Sequence, residues 1–383
     1  MLLNDKWIKG AIPALLIHIS IGIVYCWSIL KFAIAKAIAY PIGSLELTFA
    51  LTIFFLGMSA AFGGKFVEHN VKLSTELSGI LYLLGFGLSV IAIIIHNIFL
   101  FYLAFGVILG ISVGIGYISP IKTLMLWFKN NKGLATGLAI AGFGLSKTIY
   151  SPIIVFGLSI MPITYLLGII GLIGGISILY ASNLIQKPKV ESKIASNINI
   201  LDVIFTSKYI KLWLIFFINI TCGLSIIAFE KEIIGVIYVV WFSIMAAISN
   251  AGGRLVYAKC TDILINKYKV YYTILITSII ACIGYFISPL FVIPLIIIVN
   301  LGYGGGFASM PNIVQDEFGM NNVSTIHGYI LSAWAFASIA SYLLSQFFIY
   351  YLCISFGLYV GILGIIYLIA LFIVHEYTRN KKI

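Results

Sequence analysis

The sequence predicts an all-α integral membrane protein, with twelve transmembrane helices in two pseudo-symmetric six-helix bundles. Three observations carry this. Of 383 residues, 62% are hydrophobic and 9% charged, with mean hydropathy +1.12, whereas globular chains carry about 25% charged residues. Apolar runs recur along the chain, and each is long enough to cross about 30 Å of hydrocarbon. The chain also repeats itself: Gly114, Pro120, Asn131 and Gly137 map onto Gly305, Pro311, Asn322 and Gly328 at a single offset of 191 residues, half the chain.

Twelve spans follow in order. The first, 8–30, comes after Lys6 and Lys9 and holds His18, Tyr25 and Trp27. No small-residue cleavage site follows it, so it is expected to be a retained helix and not a removed signal. The second to sixth cover 44–64, 74–95, 98–121, 133–156 and 161–183, the fourth carrying Tyr117 and the fifth Lys147. The polar stretch "QKPKVESKIASNINILD" from Gln186 to Asp202 then divides six spans from six. The expected organisation is a bundle over 1–185, a cytoplasmic linker over 186–206 and a second bundle over 207–383.

The remaining spans are 207–229, 234–258 with Arg254, 270–289, 291–313, 325–347 with Trp334, and 350–374. The tenth contains three consecutive glycines, Gly304, Gly305 and Gly306, and Pro311 is expected to close it, before a polar loop carrying Asp316 and Glu317. A glycine costs a soluble helix about 1 kcal/mol against alanine. In a bilayer, small residues let helix backbones approach closely, so these four residues are expected to serve helix packing.

The distribution of Lys and Arg sets the expected orientation. With the N-terminus inside, 18 of the 23 fall at cytoplasmic positions, Lys31, Lys36 and Lys231 fall outside, and Lys147 and Arg254 lie within spans. Both termini are therefore expected to be cytoplasmic, in the cell membrane. The net charge of +11 belongs to this orientation and not to nucleic-acid binding. The five cysteines, Cys26, Cys222, Cys260, Cys282 and Cys353, are scattered and imply no disulfide or metal framework; no metal or cofactor is expected.

Two six-helix halves with a polar linker are the plan of a secondary transporter, which places substrate near the midplane between the halves. Arg254 is the most informative residue, because the chain uses 21 lysines and two arginines. A cation at a helix centre costs about 2.5–3.5 kcal/mol or more, so it should face a cavity or a partner. A guanidinium also grips a carboxylate with two parallel hydrogen bonds. The alternatives for Arg254 are snorkelling to headgroups or pairing with Asp262. Lys147, about 21 Å into its helix at 1.5 Å per residue, divides between a cavity role and snorkelling. All twelve Asp and Glu fall in loops or at span ends, which favours exchange or facilitated passage over proton symport. His18 is expected to be a helix-packing hydrogen-bonder. Tyr25, Trp27, Tyr117, Tyr303, Phe307 and Trp334 stand out among the aromatics because small residues flank them.

The stretches "GIVYCWSI", "VGIGYISP", "LWFKNNKGLATGLAIAGFGLSKTIYSP", "NAGGRLVYAKCTD" and "GYGGGFASMP…DEFG…HGYILSAW" occur in this order across both halves. Together they resemble the oxalate:formate antiporter family of the major facilitator superfamily. The resemblance implies small carboxylates crossing through a central aromatic-lined cavity. It implies that Arg254 matches the family's substrate-binding arginine, and that Tyr25, Tyr117, Tyr303 and Phe307 match its cavity aromatics. The second cation of oxalate-carrying members, a lysine on the eleventh helix, matches Trp334, so that charge is missing here. The gating motif after the second helix is reduced to Glu68 in "GGKFVEHN", while the later loop keeps Asp262.

A dianion in a low-dielectric cavity wants two cations, and one arginine beside a tryptophan better suits a monocarboxylate of the formate, pyruvate or lactate type. By pseudo-symmetry Phe143 lies opposite Trp334, and Lys147 lies one turn beyond it. Lys147 would restore a second charge, which leaves oxalate-type exchange as the alternative. A sensor built on a transporter plan is a more distant one. An intramembrane enzyme would need a catalytic cluster, and a cation or drug carrier would need acidic cavity residues. The expected partners are a small organic anion and the lipid bilayer, with the protein acting as a monomer.

Overall fold

A computed structural model describes residues 5–128, 132–188, 200–234, 239–319 and 323–380. Among the described residues all regular structure is helical. The first half holds α1 (Trp7–Ile38), α2 (Ile42–Phe62), α3 (Val71–Ile94), α4 (98–127), α5 (Lys132–Ile160) and α6 (Ile163–Leu184). The second holds α7 (Ser207–Ala228), α8 (Val239–Ile263), α9 (Tyr268–Ile287), α10 (Val292–Phe318), α11 (323–351) and α12 (Phe356–Asn380). Eleven of these have the length and apolarity to cross a membrane. The exception, α8, is 25 residues long, about 37 Å at 1.5 Å per residue. Its polar run from Asn250 to Arg254 is largely buried against protein.

Glycine sets how close the helices come, in the same way in both halves. A Cβ added at Gly114 of α4 would lie 2.0 Å from Ser59 Oγ and 2.3 Å from the Leu56 carbonyl oxygen, both of α2. At the equivalent position of α10, a Cβ on Gly305 would lie 2.1 Å from the Tyr257 ring of α8, and one on Gly304 would lie 2.1 Å from the Asn250 carbonyl oxygen. The fourth helix of each half thus leans on the second through a position that only glycine fits. Asn131 and Asn322 of the repeat, and 189–199 of the linker, lie outside the described residues.

Pro311 does not close its helix. It lies inside α10, which continues to Phe318 and takes Asp316 and Glu317 into its last turn. Proline is tolerated within a transmembrane helix where neighbours satisfy the loosened backbone. The carbonyl that Pro311 leaves without its helical bond is that of Phe307; just before it, the Tyr271 hydroxyl donates to Gly306 O at 3.0 Å and Ser309 Oγ donates to Gly305 O at 2.7 Å, tying this stretch of α10 to α9. The two acids also have partners that hold them in place. Asp316 takes Lys267 at 2.7 Å, and Glu317 accepts from the Tyr268 and Tyr377 hydroxyls at 2.7 and 2.9 Å and from Lys208 at 3.1 Å. This cluster ties α7, α9, α10 and α12 together at the end that carries the chain termini.

The first helix is also longer than its apolar run. It continues to Ile38 and carries Lys31 into the interior, where the side chain is fully buried. Lys31 Nζ donates to Glu46 Oε1 of α2 at 2.7 Å and to the Ala228 carbonyl of α7 at 2.9 Å, and pairs with Glu232 Oε1 at 2.5 Å. Its charge is neutralised by one carboxylate from each half, so the position reads as interior in the fold and as loop in the sequence.

Candidate functional site

The two halves meet along α2 with α11 and α5 with α8, and Arg254 sits in the second of these seams. Its side chain is fully buried. Nε donates to Asn250 Oδ1 one turn back at 2.9 Å, and Nη1 donates to the Ile140 carbonyl of α5 at 3.1 Å. The guanidinium lies between one ring from each half, 5.8 Å from the Phe143 centroid and 5.5 Å from that of Phe307. Nη2 has no hydrogen-bond partner among the described residues. Arg254 therefore neither snorkels nor pairs with Asp262, which instead accepts from Asn312 at 3.1 Å.

Glycines permit this placement. A Cβ on Gly253 would lie 2.0 Å from the Leu301 carbonyl oxygen, which brings α10 and Phe307 against the arginine. A Cβ on Gly22 would lie 2.4 Å from the Phe143 carbonyl oxygen, so α1 can touch α5. There α1 tightens into a 3₁₀ stretch, Gly22–Cys26, which carries Tyr25; such mid-helix stretches often mark functional hinges.

The sequence-singled aromatics converge on the arginine. Tyr25 meets Phe143 at 4.9 Å between centroids and Tyr303 at 6.1 Å. Tyr117 meets both Phe143 and Trp334 at 5.4 Å, and Phe307 meets Tyr303 at 5.2 Å and Trp334 at 4.6 Å. The pseudo-symmetric pair Phe143 and Trp334 face each other at 6.3 Å. The result is a closed cage with Tyr25, Tyr117 and Phe143 from one half and Tyr303, Phe307 and Trp334 from the other, all buried. The Tyr25 hydroxyl lies beside the guanidinium and donates to the Tyr303 hydroxyl at 3.3 Å. Trp334 Nε1 lies near the Tyr303 hydroxyl without reaching hydrogen-bond geometry, and has no partner among the described residues. His18 borders the cage, with Nε2 in contact with the Tyr117 carbonyl at 3.2 Å.

Lys147 is not left facing this cage as a bare charge. It is nearly fully buried, and its ammonium meets the carboxylate of Glu230, which follows α7 in the second half. Glu230, Asn250 and the bracketing ring of Phe143 are the contributors that residue-by-residue reasoning did not assign. Two of them offered a signal: Asn250 stands one turn before Arg254 on the same helix, and Phe143 is the counterpart of Trp334 in the 191-residue repeat. Of the gating pair, the Glu68 side chain lies outside the described residues.

A buried arginine and a buried indole, each with an unpaired N–H, flanked by tyrosine hydroxyls and otherwise by rings, form a site that lacks a hydrogen-bond acceptor. Such a donor-rich pocket, at the seam of the two halves, can accept a small anion or another polar acceptor. The sequence matches the Major Facilitator Superfamily over residues 14–342, and the chain belongs to that superfamily. It is a multi-pass membrane transporter and not an enzyme.

Among curated relatives, the uncharacterized MFS-type transporter YhjX of Escherichia coli (strain K12) is 26% identical over 352 residues, covering 88% of this chain and 86% of the relative. The oxalate:formate antiporter of Oxalobacter formigenes is 23% identical over 355 residues, covering 88% and 84%. Apicoplast pyruvate carrier 1 of Toxoplasma gondii is 35% identical over 77 residues, covering 20% and 14%. In fold, the chain resembles the transporter FucP in its outward conformation, with TM-score 0.68, 13% identity and coverage of 95% of this chain and 98% of that one. It also resembles the proton:xylose symporter XylE bound to 6-bromo-6-deoxy-D-glucose, with TM-score 0.73, 11% identity and coverage of 98% and 95%. The resemblance to the oxalate:formate antiporter family is thus supported along most of the chain.

Proposed function

We propose that the protein carries small monocarboxylates of the formate, pyruvate or lactate type across the membrane by alternating access. The observation that carries this reading is that Arg254 Nη2 and Trp334 Nε1, both buried donors close to Tyr303, have no partner among the described residues. Buried donors without partners are costly, and a single carboxylate accepts from both. Arg254 anchors the carboxylate, the Tyr303 hydroxyl, which accepts from Tyr25, adds a donor, and Tyr25, Tyr117, Phe307 and Trp334 enclose a short carbon skeleton. Since Glu230 neutralises Lys147, the cage offers one net positive charge, which matches a monoanion. The names of the antiporter and pyruvate-carrier relatives agree in substrate class. The antiporter likeness also supports a second reading, oxalate-type exchange, which Trp334 in place of a lysine disfavours.

In the same proposal the linker and both termini face the cytoplasm of the plasma membrane, as the lysine distribution indicates. The bundles span 1–185 and 207–383 around a linker at 186–206, Asp262 and Glu68 belong to the gates on that side, and the unit is a monomer. The test is thermal unfolding of the purified protein with formate, pyruvate, lactate, oxalate and a hexose. A ligand at about 100 times its Kd stabilises by about 2.7 kcal/mol. Monocarboxylates are expected to raise Tm above oxalate, and the hexose to leave it unchanged. If no carboxylate raises Tm while the hexose does, the reading fails.

A further inference from the structure

Glu230 begins the short helix Glu230–Ile234 between α7 and α8, and it is fully buried. Oε2 takes the Lys147 ammonium from α5 of the opposite half; Oε1 lies beside Ser243 of α8 and has no hydrogen-bond partner among the described residues. The surrounding charges are committed elsewhere. From α1, Cys26 faces both members of the pair, while Lys31 is taken by Glu46, Glu232 and the Ala228 carbonyl. On the same segment Lys231 lies over the Phe32 ring at 4.1 Å. The packed helices α8 and α10 bring no Asp, Glu, Lys, Arg or His before Arg254 and Asp316 respectively. Among these groups, Lys147 and Glu230 have only each other.

Such a pair cannot be parted inside protein unless each charge finds a substitute, because an unpaired buried charge costs several kcal/mol. Opening this end of the seam parts α5 from the α7–α8 connection, so alternating access must address the pair in every cycle. Lys147 lies one turn, about 6 Å, along α5 from Phe143, whose ring brackets Arg254. A bound carboxylate is therefore a ready substitute for Glu230 at the ammonium. For Glu230 the substitute is a proton, since a carboxyl left alone in an apolar site is stable only when neutral.

We propose that Glu230 is the proton-binding site of a proton-coupled anion carrier, with Lys147 passing from Glu230 to the substrate carboxylate as Glu230 is protonated. This inference rests on the anion reading of the Arg254 cage. The accounting is closed: one anion and one proton enter from the water on the open side, and the buried charge is unchanged. When the anion leaves on the other side, Lys147 retakes Glu230 and the proton is released there. Burial outweighs the Lys147 ammonium and already holds the Glu230 carboxyl above its ordinary range. A group with a raised value in this closed arrangement binds its proton more tightly there, so protonation favours the closed seam. The sequence expectation of exchange rested on finding no carboxylate within the spans. Glu230 stands at the end of an apolar run, yet the fold places it inside.

The test is proton movement in proteoliposomes with a trapped pH-sensitive dye and the membrane potential clamped at zero, using labelled pyruvate and lactate and subtracting protein-free vesicles. The expected result is internal acidification of about one proton per anion, as for a carboxyl relay within a membrane protein. In Glu230→Gln the ratio falls at least about tenfold. The double variant Lys147→Met/Glu230→Gln, which buries no unpaired charge, does the same. A ratio cannot be mimicked by a smaller folded fraction. Wild-type pyruvate counterflow without proton movement, or an unchanged ratio in Glu230→Gln, overturns this inference and leaves the anion reading standing. No carboxylate movement by the wild type overturns both.

Discussion

Removing the Lys31 ammonium should release the end of the molecule opposite the termini. Its Nζ joins Glu46 on α2 in the first half to Glu232 and the Ala228 carbonyl in the second, and it lies 4.3 Å from the Phe229 centroid. Lys31→Met leaves Glu46 and Glu232 facing one point with only Lys231 near Glu232. Breaking a buried pair by removing one partner costs about 3–5 kcal/mol. The Glu232 side chain is 17% exposed and partly screened, so the lower figure applies. About 3 kcal/mol shifts the closed-to-open equilibrium by roughly a hundredfold. Cys26 is a native reporter, because it is buried beside this end and reacts only when the seam opens. In a chain whose other cysteines are replaced, a membrane-impermeant thiosulfonate reagent should modify Cys26 about a hundredfold faster in Lys31→Met. Adding Glu46→Gln and Glu232→Gln should bring the rate back towards that of the parent, since no charge is then left unpaired. A modification rate unchanged by Lys31→Met would refute the reasoning.

Four further outcomes follow from the structure. Gly304→Val should lower the thermal midpoint and folded yield, because its Cβ would start 2.1 Å from the Asn250 carbonyl oxygen and overpacking costs about 1–3 kcal/mol. Gly252→Ala, where a Cβ meets nothing within 4 Å, should be neutral or stabilising by up to about 1 kcal/mol. Trp334→Lys should add the second cation that the family resemblance places there, and raise oxalate over formate in competition counterflow by about tenfold, the worth of one charged hydrogen bond; an unchanged preference would count against the cage as the selecting element. Glu317→Ala should lower the unfolding midpoint in detergent by about 3 kcal/mol equivalent, from the loss of two hydroxyl hydrogen bonds to a charged group. Most of that comes from Tyr268 and Tyr377, since the Lys208 side chain is 42% exposed and its pair contributes little.

The membrane plan was legible because it is written in local quantities: apolar run length, the polar interval after Gln186 and the 191-residue repeat. The repeat even marked the contact type, since Gly114 and Gly305 prove to be close-approach positions in equivalent helix pairs. The cage was legible in part, because large rings beside small residues, together with the family resemblance, picked out Tyr25, Tyr117, Tyr303, Phe307 and Trp334. The long-range pairs were not legible. Lys31, Glu46 and Glu230 lie at the ends of apolar runs, where a charge reads as solvated, and only partners as distant as residues 147 and 230 make them interior. Helix ends moved for the same reason. Pro311, Asp316 and Glu317 read locally as a stop and a loop, yet hydroxyls from α9 and α12, Lys208 of α7 and Lys267 after α8 hold the two acids in the last turn.

The central claim is that Arg254 binds a carboxylate through its planar fork. Counterflow of labelled pyruvate and formate in liposomes, comparing the wild type with Arg254→Lys, tests it most directly. Lysine keeps the charge but lacks the rigid planar fork that aims separate N–H groups at Asn250, the Ile140 carbonyl and a substrate. The loss of one charged hydrogen bond, about 1.5–3 kcal/mol, raises KM by about tenfold to a hundredfold. That rise, with counterflow intact in the wild type, is the predicted result. Carboxylate counterflow with the same KM in Arg254→Lys, or none in the wild type, would contradict the account.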